Sequence, residues 1–97
     1  MQFRYALGSI VRERRLANGL QLRELASLSH ISYSFLSEVE RGVKEASSSV
    51  IDGIANGLGI EPYDLILETG YRMATGDELD TRQLDWANQY QDLVATS

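Results

Sequence analysis

Tyr33, Ser34, Ser37, Glu38 and Arg41 are spaced so that a helix would gather a phenol, two hydroxyls, a carboxylate and a guanidinium on one side. Such a set forms a hydrogen-bonding surface rather than a reaction centre. A tyrosine ring can touch a thymine methyl, a serine hydroxyl can bond either kind of base edge, and a glutamate can accept from cytosine N4. The competing reading is a polar face that only meets water. Catalytic chemistry has far less to work with. The chain has one histidine, His30, and no cysteine, which removes thiolate metal sites, disulfides and cysteine nucleophiles. Asp77, Glu78 and Asp80 are acidic but lack the spacing and glycine of a calcium-binding loop. No enzyme activity, cofactor or metal is expected.

The elements that must position this face read clearly. Leu22, Leu25 and Ala26 lie on one side of a short helix, Ile31 sits in a connector, and Leu36 and Val39 carry the apolar face into a second helix. Ser32 is a good N-cap for that second helix and Gly42 suits a left-handed stop, so its limits are about Tyr33 to Arg41. Two short helices joined by a tight turn form a helix-turn-helix, whose second helix can enter a DNA major groove. Residues near that helix's N-terminus reach deepest, so Tyr33, Ser34, Ser37 and Glu38 are the candidates for base contact.

Leu25, Ala26, Ile31, Ser32, Leu36, Val39, Glu40, Arg41 and Gly42 together resemble the lambda-repressor-like (Cro/C1, XRE-type) family, which includes phage repressors, Cro proteins and their bacterial relatives. The resemblance covers Leu7 to Leu67. The run LSEVERGVKEASS, Leu36 to Ser48, is similar to that of the actinobacterial Clp-protease gene regulators. The family implies an all-α, five-helix DNA-binding domain acting as a homodimer on a two-fold-related operator of double-stranded DNA. The narrower likeness implies activation of Clp protease and stress genes, with Clp protease itself as a partner that degrades the regulator. Resemblance to the phage repressors also implies a partly buried salt bridge between Arg15 of the first helix and Glu40 of the second motif helix. Two positions depart from the family pattern. His30 stands where Gly or Asn is usual in the turn, and Gln21 stands where the first motif helix usually opens with Ser or Thr, although Glu24 still suits a capping box.

A formal charge of −5 opposes binding to a polyanion on average. The charges are unevenly placed, however. Through Glu45 the basic residues Arg4, Arg12, Arg14, Arg15, Arg23, Arg41 and Lys44 outnumber the acids, whereas only Arg72 and Arg82 follow. The first half is therefore expected to face DNA, with Arg12, Arg14, Arg23, Ser32, Arg41, Lys44, Ser47 and Ser48 as backbone contacts. Lys44 leads this set, because the family's phosphate contacts commonly lie in the loop after the second motif helix.

The remaining elements follow from periodicity and punctuation. Helix 1 is expected over Ala6 to Ala17, with Leu7, Ile10, Val11 and Leu16 inward and Asn18-Gly19 as its stop. Helix 4 should follow the serine run Ser47 to Ser49 and end at Gly59. Helix 5 should begin at Pro62 and pack Leu65 and Ile66. This gives a domain over 1–67, a linker or loop over 68–79 around Gly70 and Gly76, and a C-terminal amphipathic helix over 80–97. Leu84, Trp86, Ala87, Tyr90, Leu93 and Val94 form that helix's apolar side, either packed on its own core or pairing two copies. With 97 residues, 43% of them hydrophobic, the chain can bury one modest core. Without a signal-peptide core or an apolar run near about 18 residues, a cytoplasmic protein with no membrane partner is expected. Two readings compete: a phage or plasmid repressor of the same fold, and an antitoxin or anti-repressor whose acidic tail binds a protein.

Overall fold

The computed structural model describes residues 2–76. These form five helices and no strand: α1 Phe3–Ala17, α2 Leu22–Leu28, α3 Tyr33–Glu40, α4 Ser48–Leu58 and α5 Pro62–Thr75. The residues of the expected C-terminal helix, including Leu84, Trp86, Ala87, Tyr90, Leu93 and Val94, lie outside the described residues, as do Asp77, Glu78 and Asp80. Among the described residues no helix is long and apolar enough to cross a membrane.

Short helices of this kind hold only by sharing faces. Leu7, Ile10 and Val11 of α1, Leu25 of α2, Leu36 and Val39 of α3, Ile51 and Ile54 of α4 and Leu65 of α5 form one core. Helix α1 packs on α3 and α5, while α4 packs on α2 and α5. Two glycines allow the close approaches. A Cβ on Gly8 would lie 2.3 Å from the Val39 carbonyl oxygen, and one on Gly53 would lie 2.8 Å from that of Ser29. Backbone of α1 therefore rests directly on the end of α3, and α4 on the end of α2.

Several boundaries differ from expectation. Helix α1 starts at Phe3 rather than Ala6, because the amides of Tyr5 and Ala6 both donate to the Gln2 carbonyl at 3.2 and 3.1 Å. Leu16 is not inward but 52% exposed. Four residues after Ile10 and Val11 the inward flank belongs to Arg14 and Arg15, each with an ionic partner on another helix. Helix α4 starts within the serine run, at Ser48, with Ser47 as its cap. Ile66 is 51% exposed, since the inward stripe of α5 runs through Leu65, Thr69 and Arg72. The expected linker from 68 is corrected most: α5 continues to Thr75, past Gly70, and stops at Gly76 with φ +76°. Buried Thr69, and ion pairs Arg14–Glu68 and Arg72–Glu13, the latter at 2.8 Å, bind that extension to α1. Those contacts outweigh the roughly 1 kcal/mol that a glycine costs inside a helix.

Candidate nucleic-acid interface

The turn between α2 and α3 is set by backbone chemistry. His30 adopts φ +58°, its amide donates to the Ser27 carbonyl at 3.2 Å, and the Ile31 amide donates to that of Ala26 at 3.1 Å. This is a Schellman closure with histidine in the place glycine usually takes. Ile31 is thereby directed onto the core, and Ser32 follows as the N-cap of α3, accepting from the Phe35 amide at 3.1 Å. The same closure ends α3. Gly42, at φ +75°, donates to the Val39 carbonyl at 3.0 Å, and Val43 donates to that of Glu38 at 2.9 Å.

Between these closures α3 has two faces. Leu36 and Val39 are buried, whereas Tyr33 is 58% exposed, Ser34 and Arg41 are exposed, and Ser37 and Glu38 are partly so. The polar set is thus presented together on the outside. Its orientation is fixed from α1 by a fork: Arg15 Nε meets Glu40 Oε2 at 2.7 Å, Nη2 donates to Oε1 at 3.0 Å, and Nη1 donates to the Leu20 carbonyl at 2.9 Å. The two side chains are only 11% and 6% exposed. The hydrogen bond to Glu40 pushes the Arg15 pKa upward, outweighing burial, which lowers it; the charge of Glu40 adds to the rise. Glu40 is turned to α1 and withdrawn from the outer face.

The basic residues divide. By helical spacing Tyr5, Gly8, Arg12 and Arg15 form the stripe of α1 beside α3, and Arg12 is exposed there. Arg14 instead pairs with Glu68 on the α5 side. Arg23 is pinned by its Nε donating to Gln21 Oε1 at 3.0 Å, and these two residues share a cleft with Leu22 and Tyr33. Gln21 also donates its amide to Glu24 Oε1 at 2.8 Å, within the capping box expected there. Sequence reasoning treated Gln21 only as a cap; its hold on Arg23 is a contact two residues away that side-chain length alone permits. Lys44 is exposed in the loop after α3. Ser47 caps α4, accepting from the Val50 amide at 3.3 Å, and exposed Ser48 begins the helix.

Comparison with known proteins agrees with this geometry. Residues 11–65 match the helix-turn-helix family HTH_3. The transcriptional regulator ClgR of Mycobacterium tuberculosis is 34% identical over 76 residues, covering 78% of this chain and 68% of the relative. The crystal structure of the clp gene regulator ClgR from C. glutamicum superposes with a TM-score of 0.72 at 40% identity, over 77% of this chain and 97% of that one. The restriction-modification controller protein C.AhdI from Aeromonas hydrophila has a TM-score of 0.63 at 39% identity, over 64% and 94% of the two chains. These relatives are regulators, not enzymes. The exposed polar face on a capped second helix and these matches lead to one conclusion: the chain belongs to the helix-turn-helix family of Cro/C1 (XRE) type, the DNA-binding transcriptional regulators.

Proposed function

We propose that the protein reads a two-fold-related operator as a homodimer, with α3 in the major groove, and that its targets include genes of the Clp protease system. The observation that carries this reading is the outward set Tyr33, Ser34, Ser37 and Glu38, on a helix held in place by the Arg15–Glu40 fork and the α1 contact at Gly8. A helix already held in place loses little freedom on docking, which favours base readout. Arg12, Arg23, Ser32, Arg41, Lys44, Ser47 and Ser48 flank that face and supply the phosphate grip. The Clp assignment is supported by kinship to the clp gene regulator ClgR of C. glutamicum and to a transcriptional regulator of the same name. Dimer pairing follows from the short reach of one α3, which spans too few base pairs to specify a promoter alone.

Selection of binding sites from random duplex DNA tests the reading. An enriched inverted repeat, found upstream of clp genes in the source genome and bound with steep salt dependence, is the expected result. An enriched repeat elsewhere would overturn the Clp assignment only. Folded protein that enriches no sequence would overturn base readout and favour a protein partner.

A further inference from the structure

Arg4 stands outside every contact assigned so far. It lies in the first turn of α1 and lines a cleft with Gln2, Phe3, Glu45 and Ala46, so the start of α1 faces the loop that carries Lys44. Its guanidinium carbon sits 5.4 Å from the centroid of the Tyr5 ring. That ring is itself fixed at the end of α3: a Cβ on Gly42 would lie 2.3 Å from Tyr5 Cδ1. Gly42, Tyr5 and Arg4 thus form a chain of contacts from the end of α3 to the cleft. The Arg4 Nε is buried without a hydrogen-bond partner, and no ion pair among the described residues uses this guanidinium. A buried N–H of a cation without an acceptor is costly. The first turn of α1 has no acidic residue and no side-chain cap, so the positive end of the helix dipole is not neutralised there.

We propose that Arg4 is an additional phosphate-binding residue, and that the cleft between the start of α1 and the loop after α3 receives one phosphodiester of the operator backbone. The assignment rests on the DNA-reading function proposed above and extends the grip of Lys44 across that cleft. A phosphate oxygen in the cleft gives the Arg4 guanidinium an acceptor that no ion pair among the described residues supplies, and the planar fork suits a diester better than a lysine would. Glu45, which lines the same cleft, opposes the anion. Its replacement, Glu45→Gln, strengthens binding at low salt.

The test is operator affinity from 50 to 200 mM salt for the full chain, Arg4→Gln, Arg4→Lys and Lys44→Ala, with thermal melts to establish folding. Losing one phosphate contact makes the log–log slope shallower by about 0.9, equivalent to about 15-fold weaker binding at 50 mM and about 4-fold at 200 mM. Arg4→Lys should retain most of the slope. A methylphosphonate scan of the operator checks the native protein: one neutral linkage should weaken binding by the full chain and cost nothing further in Arg4→Gln. Parallel salt lines for Arg4→Gln and the parent, with Lys44→Ala shallower, would overturn the Arg4 assignment and leave DNA reading intact. No sequence-selective, salt-dependent binding by the parent would overturn both.

Discussion

Removing the charge of Glu40 isolates what fixes α3 in place. Arg15 and Glu40 are 11% and 6% exposed and share two hydrogen bonds, so truncating one leaves the other desolvated. Breaking a fully buried pair costs about 3–5 kcal/mol. Here Arg15 keeps its bond to the Leu20 carbonyl, which places Glu40→Ala near the lower end, about 3 kcal/mol. In Glu40→Gln a neutral acceptor remains, and about 2 kcal/mol is expected. For a domain of this size, 3 kcal/mol corresponds to a fall in Tm of about 12–24 °C. Urea unfolding measures both variants, with the m-value held as a check on the reference states. The apolar double replacement Arg15→Met/Glu40→Leu should recover most of the loss, because desolvation then disappears with the attraction. It should also retain the parent's sequence preference, since both residues are turned to each other rather than to the outer face of α3. The pH sign is fixed by Arg15. A raised pKa adds stability throughout the range below the ordinary arginine value and loses it only above, so the Arg15 contribution does not fade within any usual assay window. A cost under about 1 kcal/mol for Glu40→Ala, or strong weakening of the pair by moderate salt, would refute the reasoning by placing the fork in solvent.

Other expectations are simpler to check. Gly8→Ala should destabilise by about 1–3 kcal/mol in urea, since its Cβ meets the Val39 and Glu40 carbonyl oxygens at 2.3 and 2.7 Å and α1 must move off α3. His30→Gly should stabilise by about 1 kcal/mol, the net of relieving a left-handed side chain and freeing the unfolded chain; a loss in Tm would show that the imidazole contributes more than its conformation costs. Lys44→Ala should weaken all DNA sequences about equally, whereas Ser34→Ala should alter preference among them; equal behaviour in a competition assay would mean that the outer face of α3 does not read bases. Ser32→Ala should cost about 1 kcal/mol in stability through loss of the cap on Phe35.

What could be read from the sequence was whatever depends on neighbours within about a turn of chain. The two short helices, the left-handed His30 and Gly42, the Ser32 cap and the division of α3 into apolar and polar faces all follow from local spacing. The Arg15–Glu40 pair came through family resemblance, not through spacing. The pairing of Arg14 and the helix over 68–75 were hidden for one reason: an arginine on an amphipathic helix does not declare its partner, and Glu68 lies fifty-four residues away. Gly70 looked like an interruption because the stabilising contacts of Thr69 and Arg72 lie on α1 and in the core, not beside it. Arg4 counted as one basic residue among several until folding brought the start of α1 against the loop after α3 and left its Nε without an acceptor. Sequence alone determined the local geometry of the reading head, since backbone closures and helix faces are decided by residues a few positions apart. Tertiary structure decided which arginines are paired, because a charge is occupied according to what distant chain is packed against it.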